Sequence, residues 1–239
     1  ENVVHGEALR ENARQKRGRE VSQAPVLHGV SHEEHDAVGL FAVDAAVRCI
    51  GEVKRKARFG DNGLNGFAGA QANGSKYIEI WKSDDLVNWS KQSHVKVSSD
   101  YAGNTWAPEA YYDEEIGKYV VYWASNLYDN TDDSRKQLTY NRMVYVTTDD
   151  FVNFSDPKVW IDVDRRGGAG SGSIDVTVQK VGDTYYRIYK DENTMSLRQE
   201  KSTDLTAAIG GAGVKNYADA LKGSAWSEVA TNIGKGQAN

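Results

Sequence analysis

The chain has 239 residues, a single cysteine and a formal net charge of −5, which suits one sizeable all-β domain and excludes an internal disulfide. The acidic balance lacks the basic footprint that a phosphate backbone requires, so nucleic acid is not an expected partner. No apolar run approaches the roughly 18–20 residues that cross a bilayer, and Glu1–Val21 is polar where a signal peptide needs an apolar centre. No membrane partner is expected, any export signal has been removed or never existed, and the compartment stays open.

Residues 1–35 are polar and hold no aromatic side chain. They predict a solvated segment, helical or disordered, ahead of a folded unit over 36–239. The basic stretch Arg10–Arg19 reads as a solvated helix face or tail. His28-Gly-Val-Ser-His-Glu-Glu-His35 carries three of the five histidines, but its spacing matches no common zinc-protease signature, so no metal is expected there. Only Phe41, Phe59 and Phe67 among the aromatic residues precede Tyr77, which places the packed sheet after that point. Gly60-Asp-Asn-Gly-Leu-Asn-Gly-Phe-Ala-Gly69 predicts a loop leading into the first well-formed strand, and Gly167–Ser173 plays the same part before Ile174.

From Tyr77 onward the chain repeats itself. Tyr77-Ile-Glu-Ile-Trp-Lys-Ser-Asp-Asp-Leu-Val-Asn-Trp89 returns as Met143-Val-Tyr-Val-Thr-Thr-Asp-Asp-Phe-Val-Asn-Phe154, with Asp84 and Asp149 spaced 65 residues apart. Gly117-Lys-Tyr-Val-Val-Tyr-Trp123 and Gly182-Asp-Thr-Tyr-Tyr-Arg-Ile-Tyr-Lys190 keep the same offset of 65, and a third acidic turn at Asp204 follows Asp150 by 54. Units of this size, built from strands and turns, are propeller blades. Gly117 and Gly182 predict hairpin turns, and Asp84-Asp85 and Asp149-Asp150 predict side-chain caps of the turns that follow. Within Tyr77–Ser83, Ile78 and Ile80, with Val87 beyond, are expected to be buried, and Glu79 and Lys82 to mark the exposed side.

Asp175 stands apart from these turn aspartates. It opens Ser173-Ile-Asp-Val-Thr-Val178 after a glycine-rich loop, where the first strand of a blade enters the central cavity. Convergent carboxylates there are what glycosidic cleavage needs: one acid for the leaving oxygen, one base for water, and a third group to hold a pKa. By pattern, Ala42-Val-Asp-Ala-Ala-Val-Arg-Cys-Ile-Gly51 matches Ser173–Gly182, which pairs Asp44 with Asp175 and leaves Ala110 in the intermediate copy. The basic run Glu52–Arg58 after Gly51 interrupts that pattern, so the first blade is distorted or misread by it.

Asn104-Thr-Trp-Ala-Pro-Glu-Ala-Tyr-Tyr-Asp113, Ser173-Ile-Asp175 and Tyr189-Lys-Asp-Glu192 together resemble glycoside hydrolase family 43, over about Gly60 to Asn239. The resemblance implies a five-bladed β-propeller, with about three blades in this chain. It also implies inverting hydrolysis of arabinose- or xylose-containing glycans (α-L-arabinofuranosidase or β-xylosidase type), with an oligo- or polysaccharide such as arabinan, arabinoxylan or xylan as partner. Inversion fits carboxyl groups roughly 6.5–9.5 Å apart. Asp175 matches the aspartate that orients the family's general acid and tunes its pKa. The family's first-blade Arg-Asp-Pro phrase is absent; Asp44 stands in as candidate general base by register, with Asp36 as runner-up. Trp106 is the expected sugar-stacking residue. Glu109 is left without a role, and Lys190 is expected to pair with Asp191 or Asp175. The Glu-Gly-Pro phrase of the general acid does not occur, which suggests a truncated copy or a non-catalytic carbohydrate-binding propeller. The family also allows structural calcium at the centre, for which the sequence offers no ligand set. A related hydrolase of fructose polymers would show acidic phrases of its own, which are not seen.

Overall fold

The structure is a computed structural model that describes residues 38–43, 46–52, 66–131, 135, 137–166 and 171–235, with side chains from residue 68 onward. β-Branched and aromatic runs punctuated by tight turns form three largely antiparallel sheets in chain order. The first takes β1 (Val38–Val43), β2 (Ala46–Glu52), β3 (Tyr77–Ser83) and β4 (Ser93–Lys96), in that spatial order. The second takes β5 (Trp106–Asp113), β6 (Lys118–Asn126), β7 (Asn141–Thr148) and β8 (Lys158–Asp162), and the third takes β9 (Ser173–Val181), β10 (Thr184–Asp191), β11 (Ser196–Ser202) and, beyond an excursion, β13 (Ser227–Ile233). That excursion lays β12 (Ile209–Gly210) parallel on the edge of β8, which ties the third sheet to the second. Two short helices, α1 (Gly66–Asn73) and α2 (Tyr217–Ala220), complete the described elements.

β1 lies against β5 and β5 against β9, so the first strands of the sheets converge as the innermost strands of propeller blades do. The chain forms the expected all-β propeller architecture in three blades. Two apolar seams hold the blades together. Ile78, Ile80 and Val97 of the first blade meet Val121, Trp123 and Val146 of the second. Tyr122, Tyr145 and Trp160 of the second meet Val176, Tyr185 and Leu205 across the other seam. Trp160 is fully buried, its indole N–H donates to the Leu205 carbonyl at 2.9 Å, and its ring meets that of Trp226 at 6.0 Å edge to face. A ring of this size removes roughly 150–250 Å² from water, about 4–6 kcal/mol at ~25 cal/mol per Å².

The repeated acidic turns are hydrogen-bonded modules at the far end of each blade. Asp85 Oδ1 accepts from the backbone N–H groups of Val87 (2.9 Å) and Asn88 (2.7 Å), and Asp150 Oδ1 from Val152 and Asn153 (2.8 Å each). Asp204 Oδ1 does the same for Thr206 (2.9 Å) and Ala207 (3.2 Å). Only the second aspartate of each doublet makes these bonds; Asp149 instead pairs with Lys118 at 2.6 Å. The apolar residue after the capping aspartate is a wedge: Phe151 (4% exposed) fills the first seam and Leu205 (1%) the second. Leu86, the first-blade counterpart, has no earlier blade among the described residues to enter and is 51% exposed.

Expectations at the glycine-rich stretch, Glu79, Val87 and Ala42–Gly51 are corrected. Residues 66–69 of the glycine-rich stretch belong to α1, while 60–65 lie outside the described residues. Glu79 is buried, accepting from Gln92 Nε2 at 2.6 Å and contacting His94, because β3 has sheet neighbours on both sides; Val87 rides exposed on its turn. Ala42–Gly51 is not one strand, for it spans the end of β1, the connection and most of β2, with Val43 paired to Ala46. The polar segment 1–35, including the histidine cluster, lies outside the described residues.

Candidate active site

The heads of the inner strands carry a shared distortion. Trp106 faces Ala124 but Glu109 faces Tyr122, and Ile174 faces Lys190 but Thr177 faces Ile188, so each inner strand holds one extra residue against two pairs. The extra backbone is accommodated by left-handed residues, Ala107 at φ +46° and Asp175 at φ +55°. A non-glycine residue held there costs about 1–3 kcal/mol, which the surrounding sheet must offset. Ala107, not Ala110, is therefore the second-blade counterpart of Asp175. The two glycines used for the alignment are not equivalent, because Gly117 ends a four-residue loop after Asp113 whereas Gly182 directly follows Val181.

The bulge turns the Asp175 side chain to the accessible side of β9. Its carboxyl pKa is nonetheless raised, first by partial desolvation among the strand heads, with the Lys190 charge drawing it back. Lys190 stands directly opposite Ile174 and forms no ion pair among the described residues, contrary to expectation; Asp191 pairs instead with Arg165 at 3.4 Å. Glu192, just past β10, is the next carboxylate. Its pKa is raised by burial and then by the Asp175 charge, against a hydrogen bond from Asn141 Nδ2 at 3.1 Å. Glu109 lies two residues beyond the Ala107 bulge. Burial raises its pKa, Thr177 and the Tyr122 hydroxyl (3.3 Å) lower it by donating, and the Asp175 charge raises it again. Three carboxyl groups raised chiefly by desolvation at the heads of two blades, two of them also by the Asp175 charge, can hold protons closer to neutral pH than free side chains do.

Behind them lies a set of fully buried asparagines that the sequence reading did not identify. Asn141 Oδ1 accepts from Asn126 Nδ2 (2.7 Å) and Asn104 Nδ2 (3.3 Å), and Asn104 Oδ1 accepts from the Asn126 backbone N–H at 2.7 Å. All three sit where strands begin or end at the heads of the blades, and that recurrence is the signal from which they could have been found. Glu192 and Glu109 were also missed, the first because its phrase read as strand, the second because the family assigns it no proton transfer.

Trp106 is the first residue of β5, half-buried and packed against the second seam. Asp44 and Asp36 lie outside the described residues. Among the described residues no group of three His, Cys, Asp or Glu side chains is arranged to hold a metal ion.

Residues 58–239 match a family-43-related family described as "Probable glycosyl hydrolase domain". The chain belongs to this glycoside hydrolase family. It is 36% identical over 141 residues to an α-L-arabinofuranosidase of Bifidobacterium longum subsp. longum, an alignment that covers 53% of the chain and 12% of that relative. A Penicillium chrysogenum α-L-arabinanase solved with arabinobiose superimposes with a TM-score of 0.46 at 16% identity, covering 77% of this chain and 45% of that one. A Bombyx mori family-32 β-fructofuranosidase gives 0.48 at 13% identity, covering 75% of this chain and 36% of that one. The chain thus spans about an eighth of the curated relative's length and less than half of either solved chain.

Proposed function

We propose that this domain works in a glycosidase that releases arabinose from arabinan- or arabinoxylan-type glycans, in the manner of an α-L-arabinofuranosidase and with inversion. The observation that carries the reading is Asp175: a carboxylate in a strained bulge at the head of an inner strand, facing open space, with a raised pKa. The similarity to the Bifidobacterium arabinofuranosidase favours arabinose over xylose. Asp175 orients a general acid and tunes its pKa, Trp106 offers a ring face to a sugar, and a first-blade aspartate activates water. Asp44 is the candidate for that base by register and Asp36 the second; both lie outside the described residues.

Assay of the protein on nitrophenyl α-L-arabinofuranoside and β-D-xyloside, with the product anomer read by proton NMR, tests the reading. Release of the inverted arabinose, lost in Asp175→Ala, is expected. Faster turnover of the xyloside would move the activity to the xylosidase type. Sugar binding with no release from either substrate would make the domain a non-catalytic carbohydrate-binding propeller.

A further inference from the structure

We propose that Glu192 is a positioning residue: through Asn141 it anchors to the second blade the corner of the third blade where Asp175 and Lys190 stand. The proposal rests on the reading of Asp175 as a working carboxylate.

The buried amides leave Asn141 one orientation. Its Oδ1 accepts two N–H groups, from Asn126 and Asn104. A flipped amide would set donor against donor in a site with no exposure to water, and an unsatisfied buried polar group costs about 1–3 kcal/mol. Asn104 is fixed in turn, because its Oδ1 takes the Asn126 backbone N–H and its Nδ2 also reaches the Ala124 carbonyl at 3.4 Å. The chain of amides therefore ends in a donor, Asn141 Nδ2, that needs an acceptor, and Glu192 Oε2 supplies it at 3.1 Å.

Glu192 is held from its other side by the segment that leads into Asp175. Its backbone N–H donates to the Gly172 carbonyl at 3.1 Å. Gly172 packs so closely on Asn141 that a Cβ there would lie 2.1 Å from the Asn141 carbonyl oxygen. Asn141 on β7, Gly172 before β9 and Glu192 after β10 thus form one contact, three residues from Asp175 along β9 and two from Lys190 along β10. The charged groups coupled at this corner are Asp175 from β9, Lys190 from β10, Glu109 from β5 and Glu192 itself. Glu192 feels the Asp175 charge, whereas desolvation and then Lys190 shift the Asp175 carboxyl; that Asp175 responds to Glu192 in return is the part of the proposal that titration tests.

The test is carboxyl carbon-13 titration of Asp175 in the purified chain, with hydrogen exchange of the Asn141 side-chain amide, in wild type, Glu192→Gln and Glu192→Ala. Glutamine keeps an acceptor for Asn141 and removes the charge. It should lower the Asp175 midpoint by about half a pH unit while leaving amide protection and melting temperature unchanged. Alanine should lower the midpoint and also lose the amide protection. If Glu192→Gln folds normally and the Asp175 midpoint stays fixed, or if Asn141 remains protected in Glu192→Ala, the proposal is overturned; should the alanine variant fail to fold, the glutamine variant decides. No turnover is needed, so linked titrations in a protein that hydrolyses nothing would reject the glycosidase reading and keep this one. Unlinked titrations in an active enzyme would do the reverse.

Discussion

The two ends of the blades use the same carboxyl groups to opposite effect. At the turn end, Asp85 and Asp150 are exposed and receive backbone N–H bonds, which hold their pKa values far below the ordinary carboxylate range, to about 2 for Asp150. At the head, Asp175, Glu192 and Glu109 are crowded by strand ends and by one another, and their pKa values are raised. Donated hydrogen bonds favour the charged form, and desolvation and like charge favour the neutral one. The linkage signs follow. A lowered folded pKa adds stability above the unfolded value, and a raised one makes stability fall as the pH rises through the interval between unfolded and folded values. One end of each blade stabilises the fold at neutral pH, and the other gives up some of that stability to keep protons available. The end that repeats in every blade is architectural; the end that differs between blades is where the proposed chemistry would sit.

The sharpest break in that comparison is to remove one aspartate from each end. Asp175→Ala is expected to lower arabinofuranosidase activity by roughly 10²- to 10⁴-fold, the weight of the acid–base step it supports, with little change in melting temperature because the side chain lies on the accessible side of β9. Asp150→Ala should leave activity within about twofold and lower the melting temperature. Side-by-side rates and thermal melts check both, and a rate loss in Asp150→Ala matching that of Asp175→Ala would erase the distinction between the ends.

The turn end was legible in the sequence because its chemistry is local. Asp85, Asp150 and Asp204 bond to residues two and three positions on, so the repeat exposes them directly. The sequence misled only over which aspartate of the doublet acts. The head was legible at Asp175, where the Ile-Asp phrase carries the family resemblance, and illegible behind it. Asn104, Asn126 and Asn141 are far apart in the chain and meet only when β5, β6 and β7 pair. A one-residue bulge also leaves no mark on composition, which is why Ala110 rather than Ala107 was set against Asp175. The long-range partners of Glu79 were hidden for the same reason, so an apparently exposed glutamate proved to be buried.

Between the two ends, the middle of the third blade holds a buried pair. Arg187 donates to Glu200 Oε2 from Nε (2.9 Å) and Nη2 (2.7 Å), the Tyr189 hydroxyl donates to Oε1 at 2.6 Å, and the guanidinium lies 3.8 Å from the Trp226 ring centroid. Glu200→Ala leaves that cation without its carboxylate in a site closed to water. A loss of roughly 3–5 kcal/mol is expected from urea unfolding, and a loss below about 1 kcal/mol would show that the pair is dispensable. Gly172→Ala should act more gently on stability, about 1–3 kcal/mol, because the new methyl group must push the loop off Asn141. Its distinguishing effect lies at the head: amide protection at Asn141 should fall by more than the loss of global stability accounts for.

The smallest expected effect tests the turn end most directly. Asp150 owes its low pKa to the Asn153 and Val152 backbone N–H groups and the Asn153 side chain, and it is fully solvated. Since its folded pKa lies near 2 and the unfolded value is about 3.9, its contribution is complete above the unfolded value and disappears as the pH falls through the folded one. The urea midpoints of wild type and Asp150→Ala should therefore stand furthest apart at pH 7 and begin to converge below about pH 4. Added salt should change the gap little, because short hydrogen bonds and not distant charges create it. For Asp85, whose pKa is held lower still by the same kind of bonds, the convergence should start in the same range and finish at lower pH. Parallel midpoint curves with a constant gap would mean that the aspartate acts through turn geometry alone, and the contrast between the two ends would then rest on the head carboxylates.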